Sequence, residues 1–215
     1  MYAGDHVLAK VLEERDDFLS SRPSSVELTM LFYDIAWFEA AREDIDAESL
    51  YVWSKSLGSV VTDTVKKSGG TFDTFVGDAG SAWWGANGAP RHAERAFDCA
   101  TQLVAGVEKL NQQSREARLP VVGLMIGIHT GLANLGNFGS ASRIRYCPMG
   151  DAVNLAARLC GLAPKYSVPI VLSEATYRAS DKPEAAQYLG RVPVKGGDAE
   201  VAIYGAGTVE GVHAF

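Results

Sequence analysis

The order of apolar patterns along the chain restricts the possible folds more than any single motif. A run of β-branched and aromatic residues at 26–34 is followed by helical periodicity over about 46–67 and a Ser68-Gly69-Gly70 turn. Strand-like runs at 71–76 and 79–85, a second helical stretch at about 91–115 and a strand at 121–129 come next. One sheet with its helices on one face satisfies that order. Further pieces are appended: a strand at 132–137, a helix around 151–162, a strand at 169–172, a short helix at 173–179, and strands near 188–195 and 200–206. No internal repeat or low-complexity stretch interrupts them.

This is the βαββαβ order of a ferredoxin-like, palm-type α+β sheet. The chain divides into an N-terminal segment 1–25, a domain 26–206 and a tail 207–215. Within the first segment, residues 5–20 place Val7, Leu8, Val11, Leu12, Phe18 and Leu19 at near-helical spacing. That amphipathic helix packs on its own core or on a partner, and Ser20–Ser25 reads as a linker.

Composition removes several function classes. The 215 residues are 47% hydrophobic, enough to bury one sizeable core. No run approaches the roughly 20 apolar residues of a membrane span, and Met1–Asp5 lacks a signal-peptide layout, so a cytoplasmic protein without a membrane span is expected. A formal net charge of −6 argues against a nucleic-acid surface. Cys99, Cys147 and Cys160 are odd in number and irregularly spaced, which fits neither a disulfide framework nor a zinc site. His6, His92, His129 and His213 are scattered and read as structural or surface residues.

Two aspartates stand out. Asp34, in Leu31-Phe-Tyr-Asp-Ile, and Asp78, in Phe75-Val-Gly-Asp-Ala, each sit where an apolar run meets small residues. Aspartate beside glycine commonly forms turns. Two strands that end on carboxylates also place hard oxygen ligands at one sheet rim, where divalent cations and polyphosphates meet.

The motifs around these acids resemble the catalytic domain of class III nucleotide cyclases, the adenylate and guanylate cyclase family. The resemblance covers about 26–206 and rests on Gly69-Gly-Thr-Phe-Asp-Thr-Phe-Val-Gly-Asp-Ala, His92-Ala-Glu-Arg-Ala, Ile126-Gly-Ile-His-Thr-Gly, Gly136-Asn-Phe-Gly-Ser, Met149-Gly-Asp-Ala-Val-Asn-Leu-Ala-Ala-Arg-Leu and Val194-Lys-Gly, in family order. It implies that Asp34, Asp78 and the Ile35 carbonyl bind two divalent cations, Mn²⁺ or Mg²⁺. It assigns Asn154 to the ribose and Arg158 to the α-phosphate. Their spacing of four would put both on one helix face. The resemblance further implies that Lys195 meets the terminal phosphates of a nucleoside triphosphate. Ala36-Trp37-Phe38 is expected to form a turn whose backbone N–H groups cradle phosphate. Because the family's sites form between two domains, a homodimer with two shared sites is expected.

The base-reading positions depart from the family. Adenylate cyclases carry Lys and Asp there, and guanylate cyclases typically Glu and Cys. This chain has Thr74 and Cys147. Threonine cannot form a charge-assisted bond and is too short to reach a purine edge, so an adenine-specific site is not expected. Tyr51 and Trp37 are candidates to narrow the base pocket, whereas Trp53 reads as core. Where some animal cyclases have Arg after the His-x-Gly turn, this chain has Leu132. A pocket without the purine code, on a short domain, also resembles the stand-alone bacterial pyrimidine cyclases of antiphage signalling, which make cyclic UMP or cyclic CMP. A guanylate cyclase is the second reading and a catalytically silent cyclase-like domain the third. Neither the trigger nor the downstream effector of a cyclic nucleotide is legible.

Overall fold

A computed structural model of the chain describes residues 22–37, 45–86, 88–140, 143–181, 183–193 and 200–207. The amphipathic stretch 5–20 and the tail beyond Gly207 lie outside the described residues.

Strands β1 (Ser24–Trp37), β2 (Thr71–Val76), β3 (Ala79–Trp84), β4 (Val122–Ser140), β5 (Arg143–Met149), β6 (Ile170–Ser173), β7 (Gln187–Pro193) and β8 (Glu200–Ala206) form one sheet. The order is β2-β3-β1-β4-β6-β8-β7, with β5 hydrogen-bonded to β4 outside that path. β4 runs antiparallel to all of β1, from Ser24↔Leu135 to Trp37↔Val122, and parallel to β6.

Two expectations need correction. Residues 121–129 and 132–137 are not separate strands but parts of one, β4. Thr130-Gly131 has turn-like composition, yet the Thr130 hydroxyl is buried against Thr29 at 2.8 Å, and that contact favours an extended backbone. The second correction is β5. The alternation in Arg143-Ile-Arg-Tyr-Cys was not recognised as a strand, and its pairing partner Asn134–Ser140 supplies the missing ladder.

Helix α1 (Ala47–Lys67) starts at Asp46, whose side chain accepts the Ser49 N–H at 2.9 Å. Its buried stripe, Trp53, Leu57, Val61 and Val65, has the four-residue spacing of a packed face. Helix α2 (His92–Ala117) joins α1 on the same side of the sheet, over Leu31, Tyr33, Leu124 and Ile126. Helix α3 (Asp151–Cys160) lies on the other side. There Ala156 packs with Leu28, Met30 and Trp83, and Leu155 and Leu159 pack with Val171 and Ile203. The two core helices therefore share one face, as their pattern implied, while the appended helix covers the opposite one. Short helices α4 (Ala163–Tyr166) and α5 (Glu174–Ala179) follow, the latter capped by Ser173.

Strand periodicity sends neighbouring residues to opposite layers. Trp83 and Trp84, each 1% exposed, belong to different cores. The same alternation on β1 sends Leu31 and Tyr33 towards α1 and α2, and Leu28 and Met30 towards α3.

Candidate active site

The β1–β3 ladder ends at Tyr33↔Gly80. Asp34 follows at once on β1. Asp78 stands two residues before Gly80, in the two-residue turn Gly77-Asp78 that joins β2 to β3. Gly77 adopts φ +61°, a left-handed conformation that glycine accepts without steric cost. Neighbouring strands lie about 4.8 Å apart, so the turn and the ladder end bring the two acids to one rim. Asp34 is half-buried and Asp78 exposed.

Asp34 is not the last residue of its strand, however. β1 continues to Trp37 against β4, through Asp34↔Met125, Ile35↔Leu124 and Ala36↔Gly123. The expected phosphate-cradling turn at Ala36-Trp37 is thus extended strand, because β4 still supplies ladder partners after β3 has ended. Phe38, the Trp37 side chain and Lys195 lie outside the described residues. Ile35 packs its side chain against the core beneath α1 and α2, which leaves its backbone carbonyl as the group it can offer a ligand.

Asp34 Oδ1 accepts the Ile35 N–H at 2.8 Å, which orients the carboxylate. Behind it, Tyr33 has its phenol pushed up by burial and then by the Asp34 charge. Cys160 at the end of α3 is pushed up to about 12, first by burial and then by the same charge. Its thiol donates to the Met125 carbonyl at 3.1 Å. α3 can sit this close because Gly127 has no side chain. A Cβ there would lie 2.1 Å from Cys160 N and 2.3 Å from Ala156 O.

Asn154 and Arg158 are exposed on α3 and share one face, as their spacing implied. That face is opposite the buried stripe. Arg158 precedes Cys160 by two residues, about 200° around the helix, while Cys160 abuts Asp34. Within one chain, then, the carboxylate rim and the Asn154/Arg158 pair form two separate surfaces.

The rim suits a hard divalent cation, since its donors are two carboxylates and a backbone carbonyl. Among the described residues no group of three or more His, Cys, Asp or Glu gathers. Water and substrate phosphate would supply the remaining ligands, as is usual for Mg²⁺.

The base-recognition candidates do not form one cluster. Tyr51 is 63% exposed on the outer side of α1, whereas Trp53 is buried at 4%. Thr74 donates to the Phe75 carbonyl at 3.2 Å. Cys147 is buried on β5, and its thiol is raised by desolvation and then by Asp73. Leu132 is 67% exposed. Asp73 itself, with Arg145, was not singled out in the sequence. Arg145 Nη2 donates to Asp73 Oδ2 at 2.5 Å across 72 residues. No local pattern could have signalled a contact of that separation.

His92 and His129 are structural, as expected. His92 Nδ1 lies 2.8 Å from the Thr29 hydroxyl, and His129 Nδ1 lies 2.7 Å from that of Ser173. Burial lowers both, His129 to about 4. No described helix is long and apolar enough to cross a membrane.

The family model described as "Adenylate and Guanylate cyclase catalytic domain" matches residues 21–205. The chain is 32% identical over 179 residues to adenylate cyclase 1 of Rhizobium meliloti, covering 83% of this chain and 27% of that longer relative. Among solved structures it is similar to the adenylyl cyclase CyaB from P. aeruginosa, with 28% identity, TM-score 0.77, and coverage of 88% of this chain and 98% of that one. It is also similar to the guanylyl cyclase Cya2, with 26% identity, TM-score 0.73, and coverage of 90% and 98%. Sequence order, fold and the acid pair at the sheet rim lead to one assignment: the chain belongs to the adenylate and guanylate cyclase catalytic-domain family, the class III nucleotide cyclases, which are phosphorus–oxygen lyases.

Proposed function

We propose that this domain converts a pyrimidine nucleoside triphosphate, UTP or CTP, into its 3′,5′-cyclic nucleotide and pyrophosphate. The observation that carries the cyclase reading is the convergence of Asp34 and Asp78 at the end of the β1–β3 ladder. In the reaction the ribose 3′-oxygen bonds to the α-phosphorus, the bond from that phosphorus to the β-phosphate oxygen breaks, and the hydroxyl proton passes to solvent. Two divalent cations, Mn²⁺ or Mg²⁺, held by Asp34, Asp78 and the Ile35 carbonyl, would acidify the hydroxyl and offset the triphosphate charge. Asp34 is held for this task by the Ile35 N–H. Arg158 would meet the charge that builds on the α-phosphate, and Asn154 would orient the ribose. Lys195 would bind the terminal phosphates.

The separation of Asp34 from Asn154 and Arg158 supports a homodimer with two shared sites, each rim completed by α3 of the other copy. Mixing inactive Asp34→Ala with inactive Arg158→Ala would then form heterodimers with one intact site. About a quarter of wild-type activity should return under random pairing, whereas no recovery would remove the shared-site arrangement.

The base preference is supported by Thr74, whose short neutral hydroxyl donates to the Phe75 carbonyl. Cys147 favours a second reading, a guanylate cyclase. Purified protein incubated with Mn²⁺ and each of ATP, GTP, CTP and UTP, with products identified by mass, separates them. Cyclic UMP or cyclic CMP as main product supports the proposal, and cyclic GMP moves it to the second reading. No cyclic product from any of the four would leave the catalytically silent reading. A role in antiphage signalling rests on the resemblance to stand-alone pyrimidine cyclases. It would fail if cells carrying the Asp34→Ala form resist phage as well as wild type.

A further inference from the structure

The end of the sheet that carries Ile35 is two strands wide. β3 stops pairing with β1 at Tyr33, and β6 starts pairing with β4 at Ile126. Residues 35–37 therefore have 122–124 as their one ladder partner among the described residues. A two-stranded ribbon is marginal unless another element packs on it. Helix α2 supplies part of that cover. The Asn111 side chain donates to the Val122 carbonyl at 2.7 Å and accepts the Val122 N–H at 3.1 Å.

Beside that clamp the cover has a gap. A cavity of about 380 Å³ opens between Phe97, Val104 and Glu108 on α2, Leu124 on β4, Ile170 on β6 and Gly207 after β8. Its polar side chains are already engaged. The Thr101 hydroxyl donates to the Phe97 carbonyl at 3.1 Å, and the Asn111 amide is held by Val122. Glu108, half-exposed and so at the mouth, accepts from Arg115 at 3.1 Å. A polar occupant would lose its water there and gain few partners, so the cavity suits an apolar one.

The chain leads an apolar segment to this opening. β8 ends its pairing with β6 at Ala206↔Ile170, and both Ala206 and Gly207 line the cavity. Gly207 turns there with φ +81°, so close to Pro169 that an added Cβ would lie 2.8 Å from its ring. The sequence continues Thr208-Val-Glu-Gly-Val-His-Ala-Phe215, with Val209, Val212 and Phe215 at every third position. Eight residues reach at most about 26–29 Å. The face of α2 from Phe97 to Asn111 is about 21 Å long, so the segment can cover it. Tethered at the rim, it also has an effective concentration of about millimolar.

We propose that residues 208–215 turn back at Gly207 and seat Val209, Val212 and Phe215 in this cavity, bracing the two-stranded ribbon that presents the Ile35 carbonyl. The docking goes beyond the cyclase reading and does not depend on it. Only its effect on turnover does.

Disulfide trapping in the full chain tests the docking. Cys99, Cys147 and Cys160 are buried, so introduced cysteines report alone. Ala105 is an exposed residue of the cavity wall, and Lys55 is exposed on α1, outside the cavity. Under mild oxidation Ala105→Cys/Val212→Cys should close within one chain at least about tenfold faster than Lys55→Cys/Val212→Cys, because docking holds position 212 at the wall. Equal rates, or a bond between two chains instead, would overturn the proposal. A second measurement uses the neutral apolar dye prodan. Wild type should bind it weakly, Val212→Asp should gain binding, and Ala105→Trp/Val212→Asp should lose it again because the indole plugs the mouth. Tight binding by wild type, or an amphiphile that copurifies in the cavity, would overturn the proposal in favour of a small-molecule site. Amide exchange at 122–124 should quicken in Val212→Asp and kcat fall with it, whereas unchanged exchange would remove the bracing. If wild type cyclises none of the four nucleotides, the cyclase reading fails separately, and trapping and exchange still decide the docking.

Discussion

Strand β1 carries polar residues of two kinds, five positions apart. Thr29 is fully buried and bonded on both sides, to His92 Nδ1 and to Thr130 Oγ1, each at 2.8 Å. From Thr130 the hydroxyls continue through Thr176 at 3.1 Å and Ser173 at 3.3 Å to His129 at 2.7 Å. Asp34 is half-buried at a rim, where the ladder on its β3 side has run out. The interior chain runs from one imidazole to another through hydroxyls that partner each other, and needs no ligand. The rim presents charge at the place where backbone pairing stops. Polar groups satisfied by the protein hold the fold, and those placed where the protein's own partners end are available for chemistry.

The largest expected effect separates the two regions most sharply. Asp34→Asn or Asp78→Asn should lower cyclase turnover by at least ~10²–10³-fold, as loss of a preorganised electrostatic contact does, with the melting temperature held close to wild type. Unfolding of either variant under assay conditions would place these acids with the interior network instead.

Gly127→Ala comes next and acts on the element that connects the regions. The added methyl meets backbone of α3, which cannot rotate away as a side chain would. Overpacking of about 1–3 kcal/mol is expected from chemical denaturation. Displacement of Asn154 and Arg158 should reduce kcat as well. Wild-type stability would show that α3 does not rest on Gly127.

The interior network should also show in the pH dependence of stability. His129 falls from 6.5 to about 4 on folding, through burial. The unfolded state therefore binds the proton first, and the stabilisation is complete above about pH 6.5 and lost as pH falls towards 4. The full span is on the order of 3 kcal/mol. Urea unfolding at pH 7 and pH 5 should show that slope, and His129→Gln should flatten it. Thr176→Val is expected to cost about 1–3 kcal/mol, because Ser173 and Thr130 lose a buried partner. Loss of turnover without loss of stability would tie this network to the rim.

Much of this was legible from local patterns. The periodicity of α1, the break at Gly77-Asp78 between two strand-like runs and the four-residue spacing of Asn154 and Arg158 each depend on only a few neighbouring residues. The extent of β1 was not legible, because residues 35–37 stay extended through pairing with 122–124, nearly ninety positions away. β5 was missed for the same reason: a short strand with Arg at alternate positions shows itself only beside its partner. The hydroxyl chain from His92 to His129 was hidden too, since threonine and serine look alike whether they face solvent or each other.

By itself the sequence determined the family, the setting of Asp34 and Asp78 beside small residues, the helix that carries Asn154 and Arg158, and a neutral threonine at position 74, all of which are matters of residue type and short spacing. Only the tertiary structure decided that Asp34 sits inside one ladder and at the end of another, that Asn154 and Arg158 face away from it, and that Asp73 meets Arg145. Those facts depend on sheet register and on the path of the β4–β5 arm, which are settled by long-range packing over both faces of the sheet and leave no trace in any short window of residues.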